Sequence, residues 1–168
     1  SIEAAACALT AFFLLGKEND SSLGNIINST NLKGRCDLVN DKFLLDVSHN
    51  PASVLQLSRY IERNYKKDHK ISAIFGVMQD KDVSEMVQSI KKHVTKWYAT
   101  SPDIERSLSA IDLTGLLSEL VTEEVVPTKS IKEAIDGALV ESESELVLIF
   151  GSFYTISEAF RVIKKLES

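Results

Sequence analysis

The sequence predicts an α/β fold: a Rossmann-like, mostly parallel sheet with helices on both faces, preceded by a short helical segment. Three observations carry this. From Cys36 onward, strand-like apolar runs such as 71–76 (I-S-A-I-F-G) alternate with stretches such as Val54, Leu57, Ile61 and Tyr65, whose apolar residues recur at helical spacing. The units repeat as strand, helix, strand, and crossovers of one hand lay such helices over a parallel sheet. Before Lys33 no strand-like run separates the helical stretches.

The elements follow in order. Residues 2–15 put Ile2, Ala6, Leu9 and Phe13 on one helical face, and residues 22–29 turn Leu23, Ile26 and Ile27 inward. The boundary falls near residues 33–35. Two strands, 36–40 and 43–47, join at Asn40-Asp41, a tight turn. Pro51 suits the first helical position and opens the helix that carries Val54 to Tyr65. After strand 71–76, Val83, Met86, Val87, Ile90 and Val94 share a helical face, followed by a strand near 96–100, a helix near 109–120 and a strand near 122–126. Ile131, Ala134, Ile135, Ala138 and Leu139 mark the next helix, residues 146–150 the last strand, and Ile156, Ala159, Phe160, Ile163 and Leu166 the closing helix.

Bulk properties exclude several classes. A chain of 168 residues, 44% apolar and 26% charged, is long enough to bury one core and is not a disordered segment. With 19 Lys+Arg against 24 Asp+Glu the net charge is −5, which argues against a nucleic-acid partner and requires any anionic ligand to meet local cations. Cys7 and Cys36 form no C-x-x-C pair and have no histidine at metal-ligand spacing, so no disulfide or metal site is expected and a reducing, cytoplasmic setting fits. The apolar run from Ala4 to Leu15 is too short to span a bilayer, follows Glu3 and lacks a basic flank; it reads as a buried helix, with no membrane partner.

Ligands of doubly wound sheets bind beyond the carboxyl ends of the strands, and four strand ends carry polar clusters. In L-D-V-S-H-N-P, residues 45–51, Asp46 is placed to accept ribose hydroxyls, while His49 and Asn50, beside a helix N-terminus, are placed to face phosphate or carboxylate. Asn50 reads equally as an N-cap and His49 as a surface residue. In G-V-M-Q-D-K-D, residues 76–82, Gly76 lets the chain turn, Asp80 or Asp82 caps the next helix, and Lys81 stands between two anions. In T-S-P-D-I-E-R-S, residues 100–107, Arg106 is a candidate carboxylate clamp or an ordinary exposed arginine. In I-F-G-S-F, residues 149–153, Gly151 permits close backbone approach and Ser152 offers a hydroxyl beside free backbone N–H groups, a weak signal alone. His69 and His93 sit among lysines at helix ends and read as solvated; Trp97, Met78 and Met86 read as packing residues.

Taken in series, Gly34-Arg35, L-D-V-S-H-N-P, F-G-V-M-Q-D-K-D, Trp97-Tyr98, Arg106-Ser107 and F-G-S-F resemble the C-terminal domain of folylpolyglutamate synthases and bifunctional dihydrofolate synthases, in the Mur ligase superfamily. The resemblance covers residues 34–168 as that domain, with residues 1–33 as the closing helices and linker of a preceding ATPase domain. It implies an ATP-dependent amide ligase: ATP converts a pteroate or folate carboxylate to an acyl phosphate, and the amine of L-glutamate displaces phosphate. The matched positions imply Arg35 and Asp46 at the nucleotide, His49 as the catalytic residue near phosphates and glutamate, and Ser152, Arg106 and Lys81 at glutamate. Two departures stand out. Lys33 replaces the usual proline before Gly-Arg, and no G-x-x-x-x-G-K-[ST] phosphate loop occurs. The resemblance therefore implies that ATP and Mg2+ are held mainly by an N-terminal domain in cis and that this chain alone is inactive.

Two other readings compete. A phosphoacceptor receiver domain would share Asp46 at a strand end, but wants an acidic pair after the first strand and a lysine after the last, where this chain has Gly151-Ser152. A non-catalytic Rossmann-like nucleotide-binding module shares the fold, without the G-x-G-x-x-G of dinucleotide binders.

Overall fold

The computed structural model describes residues 34–140 and 145–166, all within the unit Gly34–Ser168. The helices expected over residues 2–15 and 22–29 lie outside the described residues.

An antiparallel pair comes first, β1 (Asp37–Val39) and β2 (Phe43–Asp46). Asn40 and Asp41 turn between them at φ of 55° and 51°, left-handed values that short polar side chains tolerate best, and the Lys42 N–H closes the turn on the Val39 carbonyl at 3.2 Å. The chain then runs α1 (Pro51–Asn64), β3 (Ile71–Phe75), α2 (Val83–Ile90), a 3-10 turn (Lys91–His93), β4 (Val94–Ala99) and α3 (Ala110–Leu120). It finishes with β5 (Glu124–Pro127), α4 (Ile131–Val140), β6 (Leu146–Phe150) and α5 (Phe153–Leu166). The six strands form one sheet in the order β1-β2-β6-β3-β4-β5, parallel at every pairing except β1 with β2.

Alternate residues of each strand feed two apolar layers. Leu44, Ala73, Phe75, Trp97, Leu148 and Phe150 face α1, α2 and α3, meeting Leu57, Met86 and Leu113. Leu45, Ile74, Tyr98, Val147 and Ile149 face α4 and α5, meeting Ile135 and Ile156. Because both faces are covered, β3 and β6 are buried at every position, which is why their sequences read as continuous apolar runs. Phe75 stacks on Phe150 with centroids 4.6 Å apart, and Trp97 meets Phe75 edge-on at 6.2 Å. Helices on both faces of a mostly parallel sheet are the architecture the sequence predicts.

The topology also creates a crevice. From β2 to β5 the connections cross the sheet one way with α1 to α3 on one face, and the return to β6 carries α4 on the other. Crossovers of a single hand demand that change of face. β6 therefore ends between β2 and β3, and its chain leaves toward α5 while theirs leave toward α1 and α2. Such a parting of neighbouring chains is where ligands of open α/β sheets bind.

Two local expectations are corrected. Val94, expected on the helix of Val83 to Ile90, instead opens β4 opposite Ile71, because the 3-10 turn Lys91–His93 ends the helix before its β-branched side chain. Gly76, expected to serve a turn, has no positive φ. Its need is space: a Cβ there would meet Thr155 Oγ1 at 2.9 Å and the Thr100 carbonyl at 3.1 Å.

Candidate functional site

Register brings the four polar strand ends to one rim. Asp46 pairs with Phe150, Phe150 with Phe75, and Phe75 with Ala99. The segments that follow, at His49, Ser152, Lys81 and Arg106, therefore all leave the same edge of the sheet. Arg35 joins them from the other direction: the Val47 N–H bonds the Gly34 carbonyl at 2.7 Å, and the Cys36 N–H bonds Asp46 at 2.8 Å. Its side chain is exposed.

Asp46 is 5% exposed and fully engaged. Oδ2 accepts from the Cys36 N–H at 2.8 Å and from its thiol at 3.4 Å; Oδ1 accepts from the Ser48 N–H at 2.8 Å and from the Ser48 hydroxyl. A buried carboxylate needs such donors, and here they tie β1's entrance to the loop after β2. Burial, followed by the charge and hydrogen bond of Asp46, pushes the Cys36 thiol up to about 12.

His49 stands where that loop meets α5. Its Nδ1 lies 2.9 Å from the Val47 carbonyl; a carbonyl only accepts, so Nδ1 carries the hydrogen, and in the neutral ring Nε2 is left with a lone pair. The ring packs on Phe153 with centroids 5.5 Å apart at 47°. Asn50 is the N-cap of α1, accepting from the Ser53 N–H at 2.9 Å while Ser53 Oγ receives the Asn50 N–H at 3.2 Å. The same hydroxyl also receives the His49 N–H at 3.2 Å, so the cap orients the histidine.

Gly151 takes φ 116°, and a Cβ on it would meet the Gly76 carbonyl and the Phe75 ring, the latter at 2.9 Å. Its N–H bonds the Ser48 carbonyl at 3.0 Å, which locks the β6 loop to the β2 loop. Beyond it Ser152 caps α5, accepting from the Thr155 N–H at 3.0 Å. Thr155 Oγ1 donates to the Gly76 carbonyl at 2.7 Å, so the Ser152 hydroxyl donates to Thr155 Oγ1 at 2.8 Å. Ser152 is 3% exposed, and its proton is committed within this chain of bonds. Toward a ligand it is an acceptor only. The first-turn N–H groups of α5, which lack intrahelical acceptors, present the positive end of its dipole beside His49.

The β3 and β4 loops are stitched together, with the Gln79 N–H on the Arg106 carbonyl at 3.0 Å and the Leu108 N–H on the Val77 carbonyl at 2.9 Å. On them Asp80 bridges two cations, Lys81 Nζ at 2.7 Å and an Arg106 nitrogen at 3.6 Å. The hydrogen bond from Lys81, aided by the charge of Arg106, holds the Asp80 carboxyl below its usual range. Asp82, not Asp80, caps α2. One acid thus holds two cations at this part of the rim, beside the Asp82 carboxylate that caps α2.

The structure thus places His49, Ser152 and Phe153 together at the crevice, and Lys81, Asp80 and Arg106 together farther along the same edge. Phe153 and Thr155 were not singled out in the sequence. An aromatic directly after strand-Gly-Ser was the available signal for Phe153, whereas a threonine in a first helical turn carries none. Among the described residues no three His, Cys, Asp or Glu side chains gather to hold a metal ion. Among them too, no helix is long and apolar enough to cross a membrane.

Comparison with known proteins agrees with this fold. The family model "Mur ligase, glutamate ligase domain" matches residues 34–153. A dihydrofolate synthase/folylpolyglutamate synthase of Buchnera aphidicola subsp. Schizaphis graminum is 32% identical over 157 residues, covering 91% of this chain and 37% of that protein. The Escherichia coli enzyme solved in complex with DHPP and ADP superposes with a TM-score of 0.85 at 28% identity, over 98% of this chain and 39% of its own. A bifunctional folylpolyglutamate synthase/dihydrofolate synthase of Yersinia pestis, complexed with AMPPNP and a Mn ion, shares the fold at a TM-score of 0.72 and 23% identity, over 90% of this chain and 35% of its own. The chain therefore spans well under half the length of these relatives. With a glutamate ligase domain of that family matched over most of its length, and the parallel sheet and rim to go with it, this chain belongs to the Mur ligases.

Proposed function

We propose that residues 34–168 are the glutamate-handling domain of an ATP-dependent amide ligase, one that joins L-glutamate to folate or dihydropteroate through an acyl phosphate. The observation that carries this reading is His49: its Nδ1 lies 2.9 Å from the Val47 carbonyl, which in the neutral ring leaves Nε2 with the lone pair, and the ring packs on Phe153 in the first turn of α5. The amine of glutamate attacks only when neutral, so its ammonium must first lose a proton; in this reading Nε2 accepts it. The C–N bond then forms as phosphate leaves, and Lys81 and Arg106 supply cations for the carboxylates of glutamate.

Arg35, exposed at the same rim, is proposed to meet the nucleotide. Asp46, with four donors already on its oxygens, serves that site by fixing the loop that presents Arg35. Asn50 acts through its cap on α1, and Ser152 by seating α5. Acyl phosphate, ADP and glutamate crowd several anions together, which calls for cations converging from more than one surface. In this reading the triphosphate and its Mg2+ are bound outside residues 34–168, in an ATPase domain in cis, and the chain alone does not turn over. A cytoplasmic setting supplies both ATP and folate.

Amide NMR of the 168-residue chain tests the reading. L-Glutamate with ADP should shift His49, Lys81, Arg106 and Phe153, with NAD and acetyl phosphate as controls. Shifts confined to other parts of the sheet, or equal shifts with NAD, would sink it.

A further inference from the structure

The head of α5 carries an aromatic side chain that lies in neither apolar layer. Phe153, the first residue of the helix, is 57% exposed, and single apolar residues on a surface are ordinary. What sets this one apart is how firmly its backbone is fixed while its ring stays outside the core. Gly151 at φ 116°, the Gly151 N–H on the Ser48 carbonyl at 3.0 Å, the Ser152 cap and the Thr155 hydroxyl on the Gly76 carbonyl at 2.7 Å all bear on the turn that Phe153 opens. Ser48 adjoins His49, so the same bonds hold Phe153 in place relative to the histidine.

His49 lacks such a hold of its own. Among the described residues its hydrogen bonds are local, the N–H to Ser53 Oγ at 3.2 Å and Nδ1 to the Val47 carbonyl at 2.9 Å. The second bond pins one atom of the ring and leaves the ring able to tilt about it; the atom that moves is Nε2, on the far side. Phe153 meets this ring from another element, with centroids 5.5 Å apart and planes at 47°, inside the range in which aromatic pairs attract.

We infer that Phe153 is a positioning residue, the wall that sets the tilt of His49 and with it the place of Nε2. This rests on the reading of His49 as acceptor of the proton from the amine of glutamate, and it names the side chain through which α5 serves that step. A base must lie within hydrogen-bond reach of the proton it takes, and a misplacement of about 1 Å costs up to roughly a hundredfold in rate. A modest tilt about Nδ1 moves Nε2 by a distance of that order. Tyr154, next in the helix and 51% exposed, is the control for losing an exposed ring at the same turn.

Carbon-13 relaxation of the His49 ring in the 168-residue chain tests the brace, with His49→Asn to assign its signals. Phe153→Ala should lower the order parameter of the ring by roughly a third or more, Phe153→Tyr should restore it, and Tyr154→Ala should leave it unchanged. Phe153→Leu, which keeps an apolar side chain at the head of α5, should loosen the ring too and answers for any folding defect of the alanine variant. In a full-length ligase carrying this domain, Phe153→Ala should lower kcat about tenfold at unchanged KM for glutamate. Added to His49→Ala it should cost nothing more, because Phe153 acts through the histidine. An unchanged order parameter in the Phe153 variants, an equal fall in Tyr154→Ala, full kcat despite a loosened ring, or a further loss in the double variant would each overturn the inference. If His49→Ala itself leaves the glutamate kinetics intact, the proton step fails, and the relaxation measurement still decides the brace.

Discussion

Gly151 and Gly76 meet backbone against backbone at the head of the sheet, so that the place of a side chain on Gly151 is already taken by the Gly76 carbonyl. Gly76 in turn is hemmed by Thr155 Oγ1, 2.9 Å from where its own Cβ would stand. The close approach lets the β6 loop pass beside the β3 loop and start α5 next to His49. Gly151→Ala meets both a positive φ and a steric clash, and each costs on the order of 1–3 kcal/mol. Its urea midpoint should fall by an amount equivalent to about 3 kcal/mol at unchanged slope. A loss under about 1 kcal/mol would mean that the loops separate freely.

Thr155→Val tests the hydrogen-bond chain from Ser152 through Thr155 to the Gly76 carbonyl. The volume is kept, but a buried carbonyl and a buried hydroxyl lose their partner, at roughly 1–3 kcal/mol. Ser152→Ala should cost about 1 kcal/mol through the lost cap. The double variant should cost less than the two singles together, because both break the same bond. Strict additivity in denaturant unfolding would show the chain to be two separate contacts.

Much of this was readable in advance. Continuous apolar runs at 71–75 and 146–150 betray strands covered on both faces, and Pro51 after Asn50 betrays a capped start. Val94 was not readable, because its spacing from Ile90 fits a helix and only the intervening 3-10 turn breaks the phase. The saturation of Asp46 was hidden for a different reason: its partner Cys36 lies ten residues away and reaches it only through the hairpin. The burial of His93 against Ser58, thirty-five residues off, overturned its solvated reading in the same way. Long-range partners decide such cases, and periodicity carries no record of them.

Cys36 makes the fold sensitive to alkali. Its thiol is raised from 9.0 to about 12 by burial and by Asp46, so the folded state keeps the proton that the unfolded chain gives up. This contribution is whole below pH 9 and is lost as pH rises through 9 toward 12. Cys36→Ser, which does not ionise there, should show a flatter fall in unfolding midpoint between pH 8 and pH 10. Peptide-resolved mass spectrometry should find Cys36 alkylated at least tenfold more slowly in the native chain than in urea. Equal rates would show the thiol to be open.

His49 is where the structural and the proposed catalytic contributions separate. His49→Ala removes a half-buried hydrogen bond to Val47 and a ring contact with Phe153, which together are worth about 1 kcal/mol of stability. If Nε2 takes the proton from the amine of glutamate, the same change in a full-length ligase carrying this domain should lower kcat/KM for glutamate by about tenfold to a thousandfold. That is roughly 1.4 to 4 kcal/mol of transition-state stabilisation. His49→Asn sharpens the test, because the asparagine amide can keep the bond to the Val47 carbonyl while offering no basic nitrogen. It should recover most of the stability and none of the turnover. Should His49→Asn restore kcat as well, the ring would matter only as a brace for the loop, and the proton would have to leave by another route.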